Sequence, residues 1–271
     1  MTFITTIKES FSAKLLIGVI LTWIVLAIIF AFADLYISIA VVDQNSLLGI
    51  FGRDFGEAPG WGLIGISISI LIGSFIKDIK KQKLSALIVI SIGLILVLYY
   101  LSEGSMLNVT NYSSMVIFTV IFPILTLNKD WSEYRIIAGI ILTLAIINSL
   151  LFVQTVKILW GRVRFRDLLP DYSNFSPWFV PQGITGSKSF PSGHTAMGFM
   201  LLPLLILVKD RDLRDRTRIS VTVAIIGWGI FVAYSRILIG AHYASDVLFS
   251  AGMASVITIL LYELVNLKTK S

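Results

Sequence analysis

Residues 15–33 read LLIGVILTWIVLAIIFAFA. The run carries no charge, and at about 1.5 Å rise per residue it is long enough to cross ~30 Å of hydrocarbon as a helix. Similar apolar runs recur at 61–76, 84–101, 114–127, 136–157, 194–208, 219–235 and 244–265. Hydrophobic residues make up 56% of the chain and charged residues 14%, with a mean hydropathy of +0.87. An average soluble domain carries about 25% charged residues. The fold class is therefore all-α, a polytopic membrane helical bundle of about eight spans, or six if the short runs 61–76 and 114–127 do not cross. Ala31-Phe32-Ala33 resembles a signal-peptidase site, but the run is read as a retained span. No repeat, low-complexity tract or linker divides the chain. We expect a single membrane domain over 1–271, with N-terminal spans in 1–135 and a core in 136–266 that includes the loop 158–191.

The segments between the runs carry the charge. Residues 1–14 form a short polar start with Lys8 and Lys14. Residues 34–60, with Asp34, Asp43, Arg53, Asp54 and Glu57, read as a surface segment with a short amphipathic helix. Counting Lys and Arg on alternate sides places 15 of the 22 at the N-terminus, in 77–83, 128–135 and 209–218, and in the tail. By the positive-inside rule both termini are cytoplasmic. Segments 34–60, 102–113, 158–191 and 236–243 then face outward. Loop 158–191 departs from the rule with Arg162, Arg164, Arg166 and Lys188. Positive charge kept on that side points to anion binding, although for Arg162, Arg166 and Lys188 snorkelling to lipid headgroups is the plain reading. A net charge of +6 without a soluble basic domain makes nucleic acid an unsuitable partner. The absence of cysteine excludes disulfides, zinc–thiolate sites and cysteine nucleophiles.

Both histidines of the chain fall near the ends of C-terminal runs. His242 stands four residues before Asp246, a spacing that puts both on one face of a helix. A carboxylate there fixes the imidazole tautomer and leaves the other nitrogen free as nucleophile or base. Asp246, at the edge of hydrocarbon, needs a partner, and His242 is the nearest candidate. Taken alone, the pair reads more readily as a capping Asp beside an interfacial His. Pro191-Ser192-Gly193-His194 leads into a run. There Gly193 admits backbone amides to an anion, Ser192 adds a hydroxyl and His194 can protonate a leaving alkoxide. Taken alone, this is also an ordinary loop-to-helix turn. Lys157, Arg164 and Arg236 sit at the outer ends of spans, where three cations suit one phosphate. The convergence of these pieces on one side is a stronger signal than any single piece.

The pattern Lys157-x6-Arg164, Pro191-Ser192-Gly193-His194 and Ser235-Arg236-x5-His242-x3-Asp246 resembles the tripartite signature of the type 2 phosphatidic acid phosphatase superfamily, over roughly 150–265. Phe165 stands where that family usually has proline. The resemblance implies that His242 is the nucleophile and forms a phosphohistidine, and that Asp246 orients it. His194 is then the general acid, and Lys157, Arg164, Ser192, Gly193 and Arg236 hold the phosphate. It implies no cofactor and no metal.

The expected substrate is a lipid phosphate or pyrophosphate reached from the bilayer at the extracytoplasmic face of the plasma membrane. Candidates are undecaprenyl pyrophosphate, phosphatidylglycerophosphate and phosphatidic acid. Tyr172, Phe175, Trp178 and Phe179 form a rim to the site or a plain aromatic belt. The rival readings are a phosphotransferase with a lipid or sugar acceptor, a non-enzymatic lipid transporter and a phosphatase of soluble sugar phosphates. Oligomeric state is left open.

Overall fold

The computed structural model describes residues 11–270. Lys8, and the side chains of Lys268 and Lys270, on which part of the charge count rests, fall outside what is described. Every regular element among the described residues is helical. In chain order these are α1 (Phe11–Val41), α2 (Leu47–Phe55), α3 (Ala58–Gly73), α4 (Ile79–Gln82), α5 (Ser85–Ser102) and α6 (Met106–Leu125). A 3-10 turn (Trp131–Tyr134) leads to α7 (Arg135–Leu144), a π-helical segment (Ala145–Phe152) and α8 (Val153–Trp160). After a long loop come α9 (Gly193–Gly198), continued by a 3-10 helix (Phe199–Val208), then α10 (Arg216–Leu238) and α11 (Ala244–Lys270). Among the described residues seven helical stretches are long and apolar enough to cross a bilayer, and Gly193–Val208 is a shorter apolar helix. All eight apolar runs of the sequence are thus helical.

Two boundaries differ from the sequence reading. The first run does not end at Ala33. α1 continues to Val41, and Asp34 is 1% exposed instead of lying on a surface segment. The apolar residues Leu35, Ile37 and Ile39 carry the helix on, and Asp34 is tolerated because its carboxylate is paired inside the protein. The short run 114–127 also gains its missing length upstream, because α6 starts at Met106, so most of the expected outer loop 102–113 is helix. Two polar side chains at this end of α6 donate within the protein. Asn111 donates to Glu57 (2.9 Å) and the Ser114 hydroxyl donates to the Ala58 carbonyl (2.6 Å).

Contacts gather the described residues into two units. One comprises the residues up to Gly49, Ile147–Ala196, and those from Ala233 on; the other comprises Ile50–Ile146 and Met197–Val232. In the second unit α3 packs on α6 and α5, and Ile70, Ala86, Trp131 and Ala138 form a core. Gln82 ties its end, accepting from the Trp131 amide (2.8 Å) and donating to Asp130 (2.7 Å). In the first unit α1 packs along α11, with Trp23 lying over Gly252 so closely that a Cβ there would come within 2.5 Å of the indole. Phe30, Ile37 and Val41 of α1 pack on Ile237, Ala244 and Val247. Ile17, Leu21, Ile24, Ile28 and Phe32 of α1 remain exposed, as a lipid-facing helix requires.

Glycine ends two helices of the first unit. Gly161 (φ +57°) stops α8, and Gly240 (φ +62°) turns the chain just after α10. Both take the left-handed conformation that costs other residues about 1–2 kcal/mol. Gly240→Ala would add a Cβ 3.2 Å from the Cβ of Arg166 as well as that strain. This variant should melt at a lower apparent temperature in detergent than the wild type, and an unchanged melting temperature would count against the strained turn.

Candidate functional site

The Gly240 turn explains the spacing between Arg236 and His242. After α10 ends, the chain reverses, and the amides of Ala241 and His242 both donate to the Arg236 carbonyl (3.1 and 3.2 Å). His242 is thereby folded back over the turn of helix that carries Arg236. α11 starts two residues later, with Asp246 in its first turn. Asp246 Oδ2 accepts from the Tyr243 amide (2.9 Å), the back-bond of a capping box. His242 therefore precedes the helix instead of sharing a helical face with Asp246. The turn still sets its Nδ1 3.5 Å from Asp246 Oδ2.

The first partner of Asp246 is not His242. Arg162 Nη1 donates to Asp246 Oδ1 at 2.6 Å, and Arg162 Nη2 donates to Asp34 Oδ2 at 2.9 Å. Arg162 is 0% exposed, so the snorkelling reading is overturned for this residue. Its Nε donates to the Ser176 carbonyl (2.9 Å), Nη1 also donates to the Ser245 hydroxyl (2.8 Å), and the Tyr243 ring lies 4.0 Å from the guanidinium carbon. Asp34 in turn accepts from the Ser245 amide (2.9 Å) and the Ser245 hydroxyl. The Ser189 hydroxyl donates to Asp246 Oδ2 at 2.5 Å. Asp34, Arg162, Ser189 and Ser245 are the residues the sequence reading missed. The available signal was Asp34 itself, a carboxylate with apolar residues on both sides.

Ser192 joins the Pro-Ser-Gly-His motif to this group, its amide donating to the Asp246 carbonyl (3.1 Å). The Ser192 hydroxyl accepts from the Thr195 amide (3.3 Å) and the Thr195 hydroxyl (2.9 Å), capping α9. A Cβ on Gly193 would lie 3.2 Å from Lys157 Nζ, so the missing side chain lets the ammonium approach this backbone. His194 is the second residue of α9 and is half-buried. Arg164 follows α8 in extended backbone, anchored through the Arg166 amide, which donates to the Gly240 carbonyl (3.0 Å). It lines a cavity of about 300 Å³ with Asp167, Gly186, Ser187 and Lys188. Arg166 and Lys188 are exposed. Phe175 and Trp178 turn inward, away from any rim. Phe175 packs edge-on to Tyr243, and Trp178 packs on Phe249 and donates to the Ala27 carbonyl (3.0 Å). Tyr172 and Phe179 stay exposed.

All eight expected site residues fall in the first unit. Burial pushes the His242 pKa down to about 3, with Asp246 acting in the opposite sense and the positive charges of Lys157 and Arg236 adding to the depression. The imidazole is neutral at pH 7, and a proton on the Nδ1 that faces Asp246 would leave the lone pair on Nε2. This arrangement suits nucleophilic attack on a phosphate held by cations. Among the described residues no group of three or more His, Cys, Asp or Glu has the geometry to hold a metal ion.

Residues 136–270 match the PAP2 superfamily. Over 118 residues the chain is 36% identical to a lipid A 1-phosphatase of Rhizobium johnstonii, covering 43% of this chain and 42% of that protein. It is 34% identical over 131 residues to a lipid A 1-phosphatase of Rhizobium etli, covering 46% of this chain and 50% of that protein. The match thus spans half the length of these relatives or less. No solved structure gives a significant match.

The depressed histidine carries a stability signature. An unfolded histidine has a pKa of about 6.5, against about 3 in the folded protein. The unfolded state therefore binds the extra proton between these values, and stability falls as pH drops from about 6.5 toward 3, by up to about 1.4 kcal/mol per unit. His242→Gln should lessen this acid loss. Apparent melting temperatures from pH 7 to pH 4 check it, and parallel curves for the two proteins would refute a buried neutral His242.

Proposed function

We propose, from the match of residues 136–270 to the PAP2 superfamily, that the protein hydrolyses a lipid phosphate or pyrophosphate through a phosphohistidine on His242. The observation that carries this reading is the neutral, buried His242, its Nδ1 3.5 Å from Asp246 and its ring within the field of the cations Lys157 and Arg236. Nε2 of His242 attacks phosphorus, its lone pair forming the N–P bond as the P–O bond to the lipid breaks. The leaving oxygen takes a proton from His194. The phosphorylated ring keeps its Nδ1–H toward Asp246 and carries one positive charge. His194, now neutral, removes a proton from water, which attacks phosphorus and releases phosphate with the His242 lone pair restored. Lys157, Arg236, Arg164, Ser192 and the Gly193 backbone hold the phosphoryl oxygens and offset the charge that develops on them. No step in this sequence calls on a metal.

The exposed apolar surface of α1 and the seven membrane-capable stretches suit a substrate whose acyl or prenyl chains remain in the bilayer. Undecaprenyl pyrophosphate, phosphatidylglycerophosphate and phosphatidic acid fit this class. The names of the two relatives add the 1-phosphate of lipid A. The charge count along the sequence supports cytoplasmic termini in the plasma membrane and a site on the extracytoplasmic side.

The test is phosphate release by the purified protein in detergent with EDTA, on these four lipids and on glucose 6-phosphate. We expect release from at least one lipid, undiminished by EDTA and lowered about 1,000-fold or more in His242→Ala. Equal release by His242→Ala would rule out the histidine mechanism. Phosphate appearing only on an added lipid or sugar acceptor would turn the reading to a transferase.

A further inference from the structure

Asp34 lies on α1, in the half of the chain outside the tripartite pattern, and it meets His242 only through intermediaries. Its carboxylate binds Arg162 at 2.9 Å, Arg162 binds Asp246 at 2.6 Å, and Asp246 faces the His242 Nδ1 at 3.5 Å. Asp34, Arg162 and Asp246 are each 1% exposed or less. An ion pair of Arg162 with Asp246 alone would be neutral. With both carboxylates ionised, as their contacts to the one guanidinium favour, the group behind His242 carries one net negative charge while the imidazole is neutral.

We propose that Asp34 is a positioning residue that supplies the charge the reaction balances. When phosphorus is transferred to Nε2, the ring retains its Nδ1–H and gains one positive charge, and the sum over Asp34, Arg162, Asp246 and His242 becomes zero. Without Asp34 the same step leaves one uncompensated positive charge in a site of low dielectric, where Coulomb interactions are weakly screened. Lys157 and Arg236 also act on the ring, each opposing positive charge there, and in the proposed mechanism their charge answers the phosphoryl oxygens. Asp34 further receives the Ser245 amide and hydroxyl in the first turn of α11, so its charge is delivered at a fixed point.

The inference rests on the phosphohistidine reading, and its test separates the two. Asp34→Asn and Asp34→Glu are compared with wild type for kcat, KM and inhibition by vanadate and by inorganic phosphate. Vanadate takes the five-coordinate form bonded to the nucleophile, whereas phosphate samples only the ground state. In Asp34→Asn, kcat and vanadate affinity should fall about 10- to 100-fold, with KM and phosphate affinity within about threefold of wild type. Asp34→Glu, which keeps the charge, should recover most of both. Asp34→Asn combined with Arg162→Gln restores one net negative charge, so its ratio of vanadate to phosphate affinity should return toward the wild-type value. If Asp34→Asn does not fold, the double variant is compared with wild type directly, and a ratio lowered about tenfold overturns the inference. Equal losses for vanadate and phosphate, equal losses in Asn and Glu, or no loss in Asn also overturn it. His242→Ala, run alongside, decides the underlying reading: an active His242→Ala defeats both, whereas an inactive one with a silent Asp34→Asn defeats the charge-balance inference alone.

Discussion

The guanidinium of Arg162, held between the carboxylates of Asp34 and Asp246, is the constraint on which the rest of this site depends. Taking an ion out of water costs several kcal/mol even after relaxation, and removing one member of a buried pair typically costs about 3–5 kcal/mol. The three charges therefore hold one another in place, and through them α1, the stretch after α8 and the start of α11 are pinned together. Three further bonds of the group reach the backbone. Arg162 Nε holds the Ser176 carbonyl, Asp34 holds the Ser245 amide, and Asp246 holds the Tyr243 amide. A network this fully bonded has little freedom to move the carboxylate that faces His242.

Backbone geometry does the remaining placement. Gly240 permits a reversal that sends two amides back to the Arg236 carbonyl, and Gly161 lets α8 stop within a few residues of Lys157. At Gly193 the missing side chain leaves room for the Lys157 ammonium. Lys157 and Arg236 thus sit in the last turns of α8 and α10, and Arg164 in the extended stretch that follows α8. The histidine sits on a turn whose shape is set by glycine.

This division explains what could be read from the sequence. Lys157, Arg236, His242, Asp246 and the Pro-Ser-Gly-His motif were legible because charged and imidazole groups are rare in so apolar a chain and fell at the ends of hydrophobic runs. The spans were legible for the same reason. Asp34 was not, because a hydropathy reading ends a run at its first charge, and only burial shows that the helix goes on through it. Arg162 was hidden among neighbouring positives. Spacing alone does not say that Arg162 turns inward to two carboxylates, whereas Arg166, four residues on, stays exposed. The relation of His242 to Asp246 was inferred from helical spacing and found in a turn instead, since the capping bond of Asp246 to Tyr243 starts the helix after the histidine.

In the proposed mechanism the two sets of charge take separate tasks around one neutral ring. Phosphoryl transfer to an imidazole creates positive charge on the ring while negative charge shifts among the phosphoryl oxygens. A site that answered both with a single field would stabilise one at the expense of the other. Asp246 faces the Nδ1 side of His242, and the proposed mechanism assigns the phosphate to the cations Lys157 and Arg236. Burial keeps the ring unprotonated at neutral pH, so its lone pair is available before the substrate arrives. The same burial would oppose the cationic phosphohistidine, because desolvation penalises any charge on the ring. A carboxylate pair carrying an excess negative charge answers that penalty at the step where it arises, and this gives a physical reason for the first span, which contributes no residue to the tripartite pattern, to place a charge against the core of the catalytic half.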